Sequence, residues 1–166
     1  MRKRLLLASS LAFVCATLSL TTQPVSAQEI TRERLKHDVG IELLGKAALY
    51  CFNYQYTVNR QIGLEAGLGA FGGGTGEGNA TVLFFPLGAK FYLIPKDGSL
   101  YLTAGATLVS AGTDSGPFDD TGGYGYGGLG FEFRSETGFT FRGTAYALFS
   151  GEGFFIWPGL TLAYAF

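Results

Sequence analysis

The stretch that decides the fold is Phe154–Phe166, FFIWPGLTLAYAF. From Leu160 onward it alternates without a break: Leu160, Leu162, Tyr164 and Phe166 fall on one side, Thr161, Ala163 and Ala165 on the other. A period of two is that of a β-strand. One side is large and apolar, the other is small, and the segment finishes on an aromatic residue where terminal residues are ordinarily frayed and polar. Lipid accounts for both features. A sheet within a bilayer must close on itself, because an open edge leaves backbone N–H and C=O groups without partners in hydrocarbon. A strand that seals such a barrel turns a large apolar face to lipid and a face of small residues to a crowded lumen, and it cannot fray.

At the other end, Arg2-Lys3-Arg4, an apolar run from Leu5 to Leu20 and Val25-Ser26-Ala27 form the three regions of a secretory signal peptide over residues 1–27. The run contains Ser9, Ser10, Thr17 and Ser19 and is too short and too polar to span as a helix. Cys15 follows Ala12-Phe13-Val14, without the small residue that a lipidation site needs just before the cysteine. Cleavage removes three of the twelve bases and none of the thirteen acids, leaving nine against thirteen, a net charge of −4. Nucleic-acid binders are basic, so no nucleic-acid partner is expected. Cys51 becomes the only cysteine, which rules out an internal disulfide and reads as a small interior hydrophobe. The 26 glycines are interleaved with Phe, Tyr and Leu rather than with Ser and Pro, which argues against disorder.

Residues 28–37 are polar and show no clean period; they read as a periplasmic N-terminal tail with, at most, a turn of helix. The barrel domain then occupies 38–166, in eight strand-like segments at 38–45, 47–57, 61–72, 80–94, 99–111, 123–134, 138–150 and 154–166. Asn59-Arg60, Lys96-Asp97-Gly98 and Ser135-Glu136-Thr137 are tight turns, whereas Gly73–Asn79 and Ala111–Gly122 read as longer loops. In bacterial outer-membrane barrels the periplasmic turns are short and the outer loops longer. Counting back from the last strand, the tight turns fall on the periplasmic side and the two long loops outside. The expectation is therefore an all-β fold, an eight-stranded antiparallel up-and-down transmembrane β-barrel. Pro86 is the one misfit, since proline cannot donate to a ladder and a closed barrel has no edge strand. A bulge is expected there, and it leaves the directions of Val82 and Phe84 open.

The signal peptide, eight alternating segments, the parity of turn lengths and the terminal aromatic strand together resemble the small eight-stranded outer-membrane barrels of Gram-negative bacteria, the OmpA/OmpX-type superfamily. The resemblance covers the whole mature chain. It implies residence in the outer membrane after signal-peptide cleavage, contact with outer-membrane lipid and lipopolysaccharide, and a monomeric barrel. It also implies that the barrel-assembly machinery reads Leu160, Leu162, Tyr164 and Phe166 as its signal. Enzymes on this architecture acylate or deacylate lipid A with a histidine and a serine near the outer rim. His37 is the only histidine and belongs to the tail, on the wrong side, so no enzyme and no cofactor are expected.

Strand parity turns Glu42, Glu65, Lys90, Glu132 and Arg142 into the lumen, with Arg134 near its lower rim. Unpaired charges in a narrow, dry lumen are costly, so these should pair and plug the lower barrel. A gated polar path is the alternative. Above them Tyr124, Tyr126 and Tyr146 also face inward and either pack against glycines or line a pocket able to take an acyl chain or another small molecule. The outer connections carry Glu77, Asp114, Asp119, Asp120 and Glu152, opposed by Lys46 alone. No firm metal site is read there, and Asp114, Asp119 and Asp120 are weak oxygen ligands for calcium or magnesium. The stretch Gly72–Gly78, GGGTGEG, lacks the lysine and following helix of a phosphate-binding loop. The overall expectation is an outer-membrane barrel with a structural or interaction role, presented through acidic outer loops. A narrow channel or acyl-binding barrel comes second.

Overall fold

The alternation seen in each segment becomes eight antiparallel strands that close in chain order, each pairing with the next and β8 returning to β1. The strands are β1 (His37–Leu44), β2 (Tyr50–Thr57), β3 (Ile62–Thr75), β4 (Gly78–Tyr92), β5 (Gly98–Thr113), β6 (Gly116–Arg134), β7 (Phe139–Ser150) and β8 (Gly153–Ala165). This computed structural model describes residues 30–75, 78–113, 116–151 and 153–166. The signal peptide, Glu77, Asp114 and Glu152 lie outside the described residues.

The seam between first and last strands runs from Asp38 opposite Ala165 to Leu44 opposite Gly159. It is finished by two backbone bonds, His37 N–H to the Phe166 carbonyl at 3.2 Å and Phe166 N–H to the His37 carbonyl at 2.8 Å. The His37 ring stacks on Phe166 and bonds the Tyr54 hydroxyl at 2.6 Å. His37 is thus the first residue of a strand, not a solvated member of the tail.

Leu160, Leu162, Tyr164 and Phe166 are exposed on the outer face of β8, as are Leu64 and Leu68 of β3, Leu100 and Leu102 of β5, and Phe131 and Phe133 of β6. Their sequence neighbours turn inward and are buried or half-buried. In water so continuous an apolar surface would drive aggregation. Around a barrel it is the surface that lipid wets.

Inside, small residues make room for large ones. A Cβ built on Gly105 would run into the Leu87 carbonyl and the Tyr126 hydroxyl. Gly105→Ala is therefore expected to cost about 1–3 kcal/mol of stability. Gly73→Ala, whose added carbon meets nothing within 4 Å, should stay within about 0.5 kcal/mol. Urea titration of the refolded barrel measures both.

Two expectations are corrected. Pro86 causes no bulge: β4 pairs β5 in one unbroken register from Ala80–Thr113 to Tyr92–Tyr101, with Pro86 opposite Thr107. The β3–β4 ladder keeps its register on either side of the proline and lacks pairs only opposite it. The ring is buried on the lumen side, so Phe84 and Val82, two and four residues away, also face inward. The long outer loops expected over Gly73–Asn79 and Ala111–Gly122 are strand at every described residue. β3 and β4 continue to Thr75 and Gly78, and β5 and β6 to Thr113 and Gly116. Asp119 and Asp120 accordingly lie on β6, where Asp120 pairs with Ala111 and is exposed.

Candidate functional site: a buried ion network beneath an apolar cavity

The six charged residues expected in the lumen are all buried there. They are joined by three that parity or composition did not single out: Asp38, Arg32 and Lys46. Five cations thus face four carboxylates (Arg32, Lys46, Lys90, Arg134 and Arg142 against Asp38, Glu42, Glu65 and Glu132), all nearly inaccessible to solvent.

The lower half centres on Glu132. Its Oε2 accepts from Arg142 Nε at 2.6 Å and from the Tyr92 hydroxyl at 2.7 Å, while its Oε1 accepts from Arg32 Nη2 at 3.0 Å. Asp38 Oδ2 joins Arg142 and Arg134 at 2.6 and 2.7 Å. Arg142 therefore bridges two carboxylates, as the planar guanidinium fork allows.

The upper half centres on Glu65. Its Oε2 meets Lys46 Nζ at 3.2 Å and Lys90 Nζ at 2.9 Å, and its Oε1 accepts from the Tyr126 hydroxyl at 3.1 Å. Glu42 holds Lys46 at 2.9 Å and accepts from Tyr146 at 2.7 Å. The halves are linked: Lys90 donates to Gln55 (2.8 Å), Gln55 donates to the Tyr92 hydroxyl (2.9 Å), and Tyr92 donates to Glu132. A single chain of hydrogen bonds crosses the lumen.

Two members arrive from outside the strands. Arg32 belongs to the short helix Thr31–Arg34, which lies across the tight turns at one end of the barrel. Thr31 donates to Asp97 through its N–H and hydroxyl, Arg34 donates to the Glu136 carbonyl at 2.8 Å, and Glu33 pairs with Arg60 at 2.8 Å. The Glu33 carboxylate raises the pKa of the Arg60 guanidinium, but this pair is exposed and adds little to stability. Arg32 itself enters the barrel and stacks 3.6 Å over the Tyr92 ring. The tail is thus a plug docked on three turns.

Lys46, expected among the outer acids, instead sits in the 3-10 turn Gly45–Ala47, which folds into the lumen. The inward fold uses left-handed backbone at Leu44 (φ 61°), Gly45 (φ 78°) and Ala48 (φ 66°). It is fastened by the Thr107 and Tyr124 hydroxyls, which donate to the Lys46 carbonyl at 2.9 and 2.6 Å. Cys51 is buried and free, as its reading required.

The three tyrosines divide. Tyr126 and Tyr146 are buried against each other edge to face and belong to the network. Tyr124 is half-buried and lines an apolar cavity of about 490 Å³ above it, with Ala48, Leu49, Phe84, Leu148 and Trp157. Among the described residues no group of three or more His, Cys, Asp or Glu side chains is placed to hold a metal ion.

A closed eight-stranded antiparallel barrel with an apolar exterior and a charge-filled interior has the fold of the small OmpA/OmpX-type outer-membrane barrels. Among solved structures it is similar to the N-terminal β-barrel domain of Pseudomonas aeruginosa OprF, with a TM-score of 0.53 at 16% identity over 80% of this chain and 96% of that one. It is also similar to Ail, the attachment invasion locus protein of Yersinia pestis, in its complex with the heparin analogue sucrose octasulfate. There the TM-score is 0.50 at 14% identity, over 78% of this chain and 95% of that one. No protein-family model and no curated protein sequence matches the chain. At these identities the likeness is one of fold.

Proposed function

We propose that this protein is a monomeric, non-conducting barrel of the Gram-negative outer membrane, reached after cleavage of residues 1–27, with a structural or interaction role. The observation that carries this reading is the hydrogen-bonded chain from Glu42 and Lys46 to Arg32, which leaves the charges in the lumen paired with one another rather than with water. Its outer side contacts lipid and lipopolysaccharide, and the barrel-assembly machinery recognises Leu160, Leu162, Tyr164 and Phe166. The extended β5–β6 hairpin, bearing exposed Asp120, is the surface offered to partners. An enzymatic role finds no support in His37, whose ring is held at the opposite end by Tyr54 and Phe166.

A gated channel would need the network to part. Single-channel recording in planar bilayers tests this directly. The expected result is no sustained opening for the wild-type barrel. Persistent openings whose conductance shifts in Lys90→Ala or Arg142→Ala would overturn the reading in favour of a pore.

A further inference from the structure

We infer that the cavity above the ion network binds one acyl chain, which enters sideways from the outer leaflet through a notch in the barrel wall. The proposal shares only its membrane placement with the function proposed above.

The notch follows from strand lengths. β1 and β2 have 8 residues each, whereas β8 has 13 and β3 has 14. β8 pairs with β1 only as far as Gly159, so Gly153–Pro158 is bonded to β7 alone. β3 pairs with β2 only as far as Leu68, so its stretch from Gly69 to Thr75 is bonded to β4 alone. Between these two free edges the wall is missing, and the inturned Gly45–Ala47 segment forms the sill.

The notch lies at the depth of the outer leaflet. A strand tilted by roughly 40° rises about 2.5 Å per residue along the membrane normal. β1 and β2 therefore climb roughly 20 Å, less than the roughly 25 Å apolar band of such barrels. On β7 and β8 the exposed apolar surface continues higher, through Ile156, Phe154 and Phe149. The opening thus straddles the boundary of acyl chains and headgroups, where water and ester oxygens can meet the free edge groups that pure hydrocarbon would leave unpaired. Pro158, which has no N–H to satisfy, stands at the start of one edge.

The chamber behind the notch has the chemistry of a hydrocarbon site. Its two polar-tipped aromatics turn their donors away from it: the Tyr124 hydroxyl bonds the Lys46 carbonyl, and Trp157 Nε1 donates to the Ala48 carbonyl at 3.4 Å. Ring and aliphatic surface from Phe84, Leu148, Leu49 and Trp157 makes up most of what remains facing the space, with Phe149, Phe155 and the one polar side chain, Ser150, at its exposed rim. At about 490 Å³ the chamber lies within the roughly 300–1,000 Å³ of small-molecule pockets. An apolar cavity of this kind gives water no partners.

Trp157 is the only tryptophan in the chain, so its emission reports what occupies the cavity. The barrel is reconstituted in phosphatidylcholine vesicles. One arm carries bromine on the phospholipid chains; the other has plain phospholipid and added brominated free fatty acid. Loss of most Trp157 emission is expected in at least one arm, and that arm names the source of the chain. Leu148→Phe, which narrows the cavity without touching the outer face, should restore the emission. Leu49→Phe in the exposed turn serves the same purpose if the first variant fails to fold. Unquenched emission in both arms, or quenching that a folded narrowing variant does not relieve, overturns the proposal.

Discussion

Glu132→Ala is expected to lower the stability of the folded barrel by about 3–5 kcal/mol, because it leaves buried cations without their counter-charge. Arg142 and Arg32 both donate to this carboxylate, Tyr92 adds a hydroxyl, and Arg134 Nε lies 3.5 Å away. None of the three guanidiniums can reach bulk water, and none can shed its proton. Glu132→Gln keeps the shape and one acceptor and should fall between the two. Equilibrium unfolding in urea, followed in lipid vesicles, measures the series. A loss below about 1 kcal/mol for Glu132→Ala would place this residue in the energetic range of an exposed pair and contradict the buried network.

Glu65→Ala should cost a comparable amount, about 3–5 kcal/mol, for the same reason. Two ammonium groups, Lys46 and Lys90, converge on one of its oxygens, and Tyr126 and Thr103 donate to the other. Lys46 retains Glu42 and Lys90 retains Gln55, so each cation is stranded only in part. The discriminating measurement is a double-mutant cycle. Lys46→Met in the Glu65→Ala background should cost much less than Lys46→Met alone, since their interaction is already gone. Strict additivity would mean that the two side chains do not meet.

How far this arrangement could be read from the sequence depends on whether a residue obeys the period of two. The lipid-facing side chains do, and so do the six lumen charges whose side of the barrel follows from parity alone. Asp38 obeys it too, lying in phase with Glu42, but as the first residue of its predicted strand it passed for part of the boundary. Arg32 has no period to follow: its role exists only because a helical turn docks across three strand connections and points one side chain up the barrel. Lys46 was illegible for a conformational reason, since nothing in Leu44-Gly45-Lys46-Ala47-Ala48 announces left-handed backbone at a leucine and an alanine. The glycine-rich outer hairpins failed differently. Their strands are made by backbone ladders with little side-chain contrast between the two faces, so GGGTGEG reads as a loop. Pro86 misled because a missing N–H removes one bond without shifting register, provided the ring has space on the lumen side. It has that space opposite Gly67, where a Cβ would meet the proline ring.

Hydrocarbon is expected to bathe the Leu/Phe/Tyr side of every strand while the charged side closes the lumen. Electrophoresis of the processed chain, extracted from membranes and run with and without boiling, tests it most directly. The chain should need detergent to leave the membrane, and the unboiled barrel should migrate apart from the boiled, unfolded form. A chain that stays dissolved without detergent and runs identically in both lanes would contradict it.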